Sequence, residues 1–486
     1  MPLILPGNVA AATASTAYSV ANSCRFNDDD SPTLTKTSGD GSKQKWTFSC
    51  WFKLGSRTSY GAATNVEDHL ISSNEGSNAF TIRIKEEGSD STLEVFFYDG
   101  SSTTLQLITD MEFRDKAAWY HLVVATDTTQ STDTNRFKIY VNGTRITDFS
   151  TETYPAQNYD TIDINDGETL RIGHQTTSHY FDGYLAEVVL IDGTQYAVTS
   201  FGEFDSDSPT IWKPIDVSGL TFGTNGFYLD FEASANLGND ANGGTDFTEG
   251  NLAAVAQATD SPTNNFCVLN PASNYYEGAT FAEGNCKATT KGSSYAYSTG
   301  TIGLTAGKWY WEVEVDSQTS LDFADIGISS RPPNATTDWL GLSSTSWGIY
   351  AGGDGYANNG STTAWCDNFT DGDIISIALD IDNDKMYAAK NGSWSDGTNF
   401  GESDIGDADG IDITALASTE GGAWFPAIGY NEGGSSAAVF LCNFGGSSAF
   451  TVSSGNADAN GYGNFEYAVP SGYLAICTKN LGSDGG

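Results

Sequence analysis

The feature that most constrains the fold is a run of alternating residues at 373–394. Its sequence is DIISIALDIDNDKMYAAKNGSW. Ile375, Ile377 and Leu379 alternate with small or polar residues, the period-2 pattern of a strand with one buried face. Turn residues separate this strand from a second one, and Asn391-Gly392 then favours a tight turn because both residues readily accept positive φ angles. The run therefore predicts a hairpin in an antiparallel sheet.

Short alternating segments also fill the chain from Tyr18 to about residue 196. They predict successive strands at 46–54, 79–84, 92–98, 105–108, 118–125, 136–141, 170–172 and 184–191. Asn142-Gly143 supplies another turn of the favoured hairpin type. Because sustained helical periodicity is absent, this region is expected to form a sandwich of two antiparallel sheets.

Length and composition agree with an all-β protein of several domains. A chain of 486 residues exceeds one hydrophobic core, so two or three domains are expected. The 54 glycines, with 12% aromatic and 17% charged residues, suit sheets with many turns and large flat side chains between them.

Motifs in the second half occur in the order found in the SPRY family, which they resemble. They are GKWYWEVEV at 307–315, IGIS at 326–329, WG-Y at 347–350, the hairpin described above, WFPAIGY at 424–430 and VFLCNFG at 439–445. The resemblance implies a β-sandwich with concanavalin-like curvature. It also implies binding, not catalysis, through the loops at one end of the sandwich.

The first half resembles the laminin-G/concanavalin A-like superfamily. The residues that carry this resemblance are WTFSCWFK at 46–53, WYHLVV at 119–124, FKIYVNGTRI at 137–146, and LRIGH with YFDGYLAEVVLIDGT between 170 and 194. The resemblance implies that the last segment is the returning strand that closes the sandwich.

The predicted fold class is all-β, with two concanavalin-like antiparallel β-sandwiches of the jelly-roll type joined by a partly ordered connector. The predicted parts are an N-terminal arm (1–17), a laminin-G-like sandwich (18–200), the connector (201–265), a SPRY-like sandwich (266–446), and a C-terminal strand and tail (447–486). The connector contains FYLDF at 227–231, which could pair with the first sandwich, and turn residues almost throughout 237–248. The apolar arm could either fray or dock on a partner subunit.

Four further stretches are similar to virion proteins of aquatic bacteriophages that are labelled tail fibres. They are MPLILPGNVA at 1–10, ANSCRFN at 21–27, TDSPTNNFCVLNP at 259–271 and PSGYLAICTKNL at 470–481. The resemblance implies a phage structural protein, and it leaves open where on the particle the protein lies.

The formal net charge of −40 excludes several classes of partner. It would repel nucleic-acid phosphates and an anionic membrane surface. The alternatives that explain it are solubility in a salty medium and sites for divalent cations. No apolar run is long enough to span a membrane, so membrane insertion is not expected.

Seven cysteines are scattered through predicted strands and form no CxxC pair. Buried free thiols explain this pattern. They indicate folding in a reducing host cytoplasm, after which the protein would lie on the exterior of the released particle.

Catalytic patterns are weak, and we expect no enzyme activity. Glu312, Glu314 and Asp316 share one face of a strand, as a retaining glycosidase on a concanavalin-like fold would need. The third carboxylate has the wrong spacing for a laminarinase-like enzyme, and the SPRY resemblance explains the strand. The histidines, His69, His121, His174 and His179, do not have zinc spacing.

Calcium is the cofactor that the acidic loops could hold. Asp407, Asp409 and Asp412 form an oxygen-rich loop, although an EF-hand register would need an acid where Ile405 stands. Other acidic loops with the same potential contain Asp28, Asp29 and Asp30, or Asp160, Asp163 and Asp166. The alternative in every case is a solvated acidic loop.

Aromatic loops between 329 and 373 are the candidate ligand-binding region. The predicted binding residues are Trp339, Asp354, Tyr356, Asn358, Asn359 and Trp365. Flat aromatic faces suit the C–H side of a sugar ring, and carboxylates and amides suit its hydroxyls. Trp347 and Tyr350 belong to the WG-Y pattern and are expected in the core. A protein target fits these loops equally well.

Three functions follow as hypotheses. The first is a phage tail fibre or related appendage that attaches to a host-surface glycan or protein. The second is a capsid-decorating or connector protein that packs on other virion proteins, and the third is a polysaccharide-degrading spike. Homo-oligomerisation is expected because appendages repeat around symmetry axes. The absence of coiled-coil heptads favours a compact appendage over a long shaft.

Overall fold

The described residues form two compact units. The computed structural model describes residues 18–56, 66–74, 77–87, 90–161, 163–176, 179–273, 279–290, 296–318, 323–335, 337–352, 355–430 and 437–484. An N-terminal unit and a C-terminal unit meet in sequence between Thr263 and Asn264. The predicted arm, 1–17, lies outside the described residues.

Strands of the N-terminal unit form two large antiparallel sheets and a small hairpin. The strands are β1 Ser23–Phe26, β2 Thr33–Thr37, β3 Lys45–Leu54, β4 Val66–Ser73, β5 Asn78–Glu87, β6 Asp90–Asp99, β7 Thr103–Glu112, β8 Tyr120–Asp127, β9 Phe137–Val141, β10 Thr144–Arg145, β11 Phe149–Thr153, β12 Thr169–Ile172, β13 Gly183–Asp192, β14 Gly202–Phe204, β15 Trp212–Pro214, β16 Phe227–Leu229, β17 Thr248–Gly250 and β18 Gln257–Ala258. One sheet has the order β10-β9-β8-β3-β13-β1-β18, with β16 also on β13. The other has the order β11-β7-β6-β5-β4-β12-β2-β17, and β14 pairs with β15.

The core of the N-terminal unit lies between its two large sheets. On β3, Trp46, Phe48 and Phe52 are fully buried and face apolar side chains of the other sheet, such as Ile82 and Phe97. The Trp46 ring contacts Phe97 at a centroid distance of 6.4 Å. Alternation along the strands thus places one face of each large sheet in a shared core.

The segment predicted as a connector belongs to this unit as far as Thr263. Its strands β16, β17 and β18 pair with β13, β2 and β1. Residues 201–228 also cover the second face of the first sheet, where a separate apolar layer includes Val123, Val189, Phe201 and Tyr228. The central strands β3, β8 and β13 are therefore buried on both faces.

The C-terminal unit contains a ten-stranded and a six-stranded sheet. Its elements are β19 Thr280–Ala282, β20 Lys287–Thr289, β21 Ala296–Thr299, β22 Lys308–Gln318, β23 Ala324–Ser329, β24 Ser346–Tyr350, β25 Tyr356–Asn358, β26 Ser361–Thr363, β27 Ile374–Asp380, β28 Lys385–Lys390, β29 Ser393–Ser395, β30 Phe400–Glu402, β31 Ile411–Asp412, β32 Phe425–Tyr430, β33 Ala438–Asn443, β34 Leu474–Ala475 and the helix α1 Thr478–Asp484. The larger sheet has the order β19-β20-β33-β22-β27-β28-β29-β30, with β31 on β28 and β34 on β22. The smaller has the order β21-β32-β23-β24-β25-β26.

The predicted hairpin is confirmed as β27 and β28. The two strands pair from Ile375–Lys390 to Asp380–Lys385. Asn391 and Gly392 follow with φ angles of 50° and 82°, the left-handed conformation that their residue types allow. Ile375, Ile377 and Leu379 lie in the core between the sheets.

Short 3-10 turns and the C-terminal segment complete the described structure. The 3-10 turns lie at Asp28–Asp30, Asp133–Asn135, Val198–Ser200, Ala254–Ala256, Pro271–Ser273 and Leu416–Ser418. β34 pairs with β22 in parallel, so the segment predicted as a strand and tail returns to the larger sheet. All seven cysteines are buried and free. Within the described residues, no helix has the length and apolarity to cross a membrane.

Candidate functional site

The predicted binding aromatics lie on two opposite faces of the six-stranded sheet. Trp347 and Tyr356 lie on the core side, with ring centroids 5.6 Å apart, and Tyr356 contacts Trp365 at 6.3 Å. Trp347 and Trp365 belong to the hydrophobic core. Trp339 instead contacts Tyr350 at 6.1 Å, with the rings nearly perpendicular.

The structure corrects the prediction that Trp365 is a ligand-binding residue. Only 5% of it is exposed, so it is a core residue and not an exposed ligand contact. Tyr356 is half-buried against the same core. Glycine, asparagine and aspartate around these aromatics predicted loops, whereas Tyr356 lies on the strand β25. Composition also does not determine which face of the sheet a residue packs against.

The polar residues predicted to bind a ligand make local contacts or face solvent. The Asn358 side-chain amide donates to the carbonyls of Ser343 and Ser346, at 3.2 and 3.0 Å. Asn359 is exposed with a φ angle of 52°, at the turn between β25 and β26. Asp354 lies outside the described residues. The amide of Asn358 is thus engaged within the protein, while the Asn359 side chain faces solvent.

A carboxyl group that sequence patterns missed lies beside Tyr350. On β23, Ile326 and Ile328 face the core, so Asp325 faces the opposite side of the sheet. Tyr350 is directly opposite Asp325 on β24, which places both side chains on that face. Asp325 is completely buried, and within the described part of the chain neither of its carboxyl oxygens has a hydrogen-bond partner.

Burial determines the protonation of Asp325. It raises the pKa of the carboxyl well above its ordinary value, because a charged carboxylate in an apolar environment loses its hydration. The neutral acid can donate a hydrogen bond as well as accept one. Trp339, Tyr350 and Asp325, called here the outer-face group, therefore combine a half-buried aromatic ring with a buried tyrosine and a buried neutral carboxyl.

Contacts of Arg331, Asp338 and Leu340 hold Trp339 in place. Arg331 donates a hydrogen bond to Asp338 at 2.6 Å and forms an ion pair with Glu420 at 3.1 Å. The next residue after Trp339, Leu340, is buried with Tyr297 and Ala427 on the same outer side of the sheet. These contacts fix both ends of the turn that carries Trp339, so its half-buried ring is positioned before any ligand arrives.

Glu312, one of the carboxylates considered for catalysis, has a structural role. Its Oε1 accepts from the Tyr310 hydroxyl and the Tyr467 amide, both at 2.8 Å, and its Oε2 accepts from the Glu466 amide at 2.9 Å. Asn443 Nδ2 donates to Oε2 at 3.3 Å. Burial raises the pKa of Glu312 to about 7. Because its oxygens are already occupied, Glu312 fixes the C-terminal segment and is not free to attack a substrate.

Folding brings Ser49 and His121 together, a pair that sequence spacing did not reveal. His121 Nε2 lies 2.9 Å from Ser49 Oγ, and Trp212 Nε1 donates to His121 Nδ1 at 2.9 Å. The neutral ring therefore carries its proton on Nε2 and donates it to Ser49. Burial lowers the pKa of His121 to about 3. In this tautomer His121 cannot accept the serine proton, so the pair has no general base.

The other histidines do not assemble a metal site. His69 Nε2 and His179 Nδ1 lie 3.3 and 3.9 Å from Glu67 Oε2. The hydrogen bond with His69 and the charge of Arg83 lower the pKa of Glu67 to about 2. Among the described residues, no three His, Cys, Asp or Glu side chains are grouped so that they could hold a metal ion.

The predicted calcium residues do not converge in this structure. Asp407, Asp409 and Asp412 are exposed, and Asp412 pairs with Lys385 at 2.6 Å. The other acidic loops also have internal partners: Asp30 accepts from Asn27, Asp160 accepts from Gln44, and Asp166 pairs with Lys43. Sequence spacing gave the right residue types for calcium, but the side chains are not directed to one point.

Two families of domains are found in the chain. A model described as the concanavalin A-like lectin/glucanases superfamily, of the laminin-G type, matches residues 27–195. The SPRY domain model matches residues 308–408. The predicted fold class, all-β with two concanavalin-like antiparallel sandwiches, is confirmed by these matches together with the sheets described above. No curated protein matches the chain.

Several solved structures are similar to parts of the chain. The SPRY domain of human HERC1 is 17% identical, with 32% of this chain and 86% of that domain covered and a TM-score of 0.26. The native heptameric SAP-like pentraxin from Limulus polyphemus is 15% identical, with coverages of 36% and 77% and a TM-score of 0.26. Domain 4 of AbnA, an extracellular arabinanase from Geobacillus stearothermophilus in complex with arabinotriose, is 14% identical, with coverages of 39% and 78% and a TM-score of 0.26.

Proposed function

We propose that this chain, which combines a laminin-G-type and a SPRY domain, is a non-enzymatic structural protein of a bacteriophage particle. In this proposal it is a tail fibre or related appendage that attaches the particle to a glycan or protein on the host surface. It assembles with other virion proteins as a homo-oligomer and lies on the outside of the released particle. The two domain types found here suggest a binding function.

The observation that carries the binding part is the outer-face group. Trp339 offers a half-buried ring on a fixed turn and contacts Tyr350. Tyr350 in turn lies opposite Asp325, whose buried carboxyl oxygens have no hydrogen-bond partner among the described residues. Aromatic faces beside a few hydrogen-bonding groups are the usual composition of a recognition site. The catalytic alternative has less support, since Glu312 is saturated and the Ser49–His121 pair has no base.

The virion part rests on sequence resemblance and is supported by the state of the cysteines. Seven buried free thiols suit a protein that folds in a reducing cytoplasm before it leaves the cell. Such a history is the ordinary one for a protein that is released with a particle.

Immunogold electron microscopy of intact virions, with antibody against the C-terminal unit, tests the location. We expect label at the periphery or tip of the tail. Label spread over the head would contradict the tail assignment and support a capsid-decorating protein. Particles without label would contradict the virion role altogether.

Adsorption of fluorescent protein to host cells tests the outer-face group. Trp339→Ala should weaken adsorption about tenfold, because truncation of a central aromatic contact typically has this effect. Phe400→Ala is the matched control, since it removes another half-buried ring from the same unit on the larger sheet. Equal adsorption of both variants and the unmodified protein would show that the outer-face group is not the binding site.

A further inference from the structure

The N-terminal unit contains an open groove that no motif in the sequence predicted. Its volume is about 460 Å³, and its lining includes Asp133, Arg136, Glu152, Tyr154 and Pro155. One wall is the 3-10 turn Asp133–Asn135, and the other is the chain that leaves β11. The volume lies in the range of small-ligand sites, about 300–1,000 Å³.

Arg136 makes the groove rigid by joining its two walls. Its guanidinium donates to the carbonyls of Gln130, Ser131 and Pro155, at 2.9, 3.0 and 2.6 Å. Arg145 adds a bond to the Thr134 carbonyl at 2.7 Å. Since a guanidinium has five N–H donors, Arg136 retains donors for a ligand after these three bonds.

Tyr154 provides an aromatic surface in the groove. Its half-buried ring packs against the core of the N-terminal unit, so it loses little freedom when a ligand binds. Burial and then the hydrogen bond with the Glu152 carboxylate raise the pKa of the Tyr154 hydroxyl above its ordinary value. A fixed ring next to a carboxylate matches the apolar face and the hydroxyls of a sugar.

The charges of the groove restrict which sugar it can bind. Asp133 and Glu152 are both exposed carboxylates, and the whole chain has a formal net charge of −40. An anionic saccharide would be repelled at close range and at a distance. The guanidinium N–H donors of Arg136 and Arg145, which an anionic sugar would need, are partly engaged by backbone carbonyls.

We infer that this groove binds a neutral saccharide unit, with Tyr154 stacking on the ring and Glu152 accepting its hydroxyls. The inference rests on the proposed attachment function and adds a second site, on the N-terminal unit, together with a ligand class. Arg136 donates to the ring substituents from the floor of the groove. Anionic polymers are excluded from it.

The test is binding of the full chain to an immobilised panel of oligosaccharides. The panel contains neutral hexasaccharides of glucose, mannose and galactose, and anionic comparators such as hyaluronan and alginate fragments. Tyr154→Ala should weaken binding to a neutral member about tenfold, and Glu152→Gln about threefold. Tyr154→Phe keeps the ring and should stay within about twofold of the unmodified protein.

Tyr98→Ala is the matched control, because it removes a half-buried ring on β6 outside the groove. It should leave binding unchanged. Glu152 is exposed, so Glu152→Gln remains informative even if Tyr154→Ala proves unstable.

The outcomes separate the groove from the proposed function. Neutral binding that survives both Tyr154→Ala and Glu152→Gln, or binding of anionic members alone, would overturn the groove assignment and leave attachment intact. Adsorption to host cells without binding to any neutral oligosaccharide would also overturn the groove assignment and leave attachment intact. Failure of the folded protein to bind either cells or the panel would contradict both proposals.

Discussion

Asp325 is an acidic side chain on a strand whose two faces are both buried. All six residues of β23 are buried, and neither oxygen of this carboxyl has a hydrogen-bond partner among the residues that the structure describes. Burying a polar group without a hydrogen bond costs about 1–3 kcal/mol in proteins, and a charged group costs more. The residue therefore lowers the free energy of unfolding of the C-terminal unit.

We predict that stability depends on pH through Asp325. Because burial raises the folded-state pKa, the folded protein keeps a proton that the unfolded chain has lost above about pH 4. The contribution of Asp325 to stability is then most favourable at acid pH, and it falls as pH rises toward the folded-state pKa. Asp325→Asn should be more stable than the unmodified protein at about pH 8, with a difference that shrinks toward about pH 4.

Urea unfolding of the C-terminal unit across this pH range measures the effect. Asp316→Asn is the control, because Asp316 is an exposed acid on the preceding strand β22. If the Asp325→Asn variant and the unmodified protein differ in stability by the same amount at every pH, the carboxyl does not titrate as described.

Sequence patterns could not identify Asp325. Alternation distinguishes the two faces of a strand only when one of them meets water, and β23 has no such face. The same limit explains Trp365, since a tryptophan in a loop rich in glycine and asparagine can lie over a binding face or return to the core.

At the scale of elements, the segment 201–263 is attached by a buried ion pair. Lys53 on β3 donates to Asp260 at 2.8 Å, and both side chains are almost completely buried. Trp119 Nε1 donates to the other carboxylate oxygen of Asp260 at 2.9 Å. A buried charge is tolerated because its partner is present, so loss of either partner is costly.

We therefore predict that Asp260→Ala lowers the free energy of unfolding of the N-terminal unit by about 3–5 kcal/mol, since the buried Lys53 loses its carboxylate partner. Hydrogen exchange in urea, followed on peptides of this unit, measures the change. Glu203→Ala removes the exposed partner of Lys213 and should change the free energy by less than about 1 kcal/mol. Similar values for the two variants would contradict the role of Asp260.

The positions of strands in the sequence were more predictable than the contacts between distant segments. The β27–β28 hairpin and β3, β8 and β13 follow from alternation and from turn residues such as Asn391-Gly392. The layer that residues 201–228 form over the first sheet did not follow, because its apolar residues lie among turn residues and show no regular period. Contacts between segments distant in sequence, such as Lys53 with Asp260, leave no local pattern.

At the scale of the whole molecule, the formal net charge of −40 opposes close approach of two copies. We predict that homo-oligomerisation strengthens with salt. The screening length falls from about 30 Å at 0.01 M salt to about 8 Å at 0.15 M, so repulsion between copies weakens. Sedimentation velocity at the two salt concentrations measures the oligomer fraction.

Magnesium chloride at matched ionic strength provides the control for this prediction. If magnesium chloride and a monovalent salt raise the oligomer fraction equally, screening explains the effect. A larger oligomer fraction in magnesium chloride indicates cation sites between copies. Dissociation of an oligomer as salt rises would contradict the prediction, because it would mean that ion pairs hold the copies together.

The apolar layer over β3, β8 and β13 also limits how genes of this type can exchange parts. A recombination junction at residue 200, where the strand pattern of the first sandwich ends, would strip Val123 and Val189 of their cover and separate Lys53 from Asp260. A junction after Thr263 keeps all of these contacts within one continuous segment of the chain. The transferable module is therefore the chain through Thr263, and offspring that inherit a shorter piece would carry a sheet with an open apolar face.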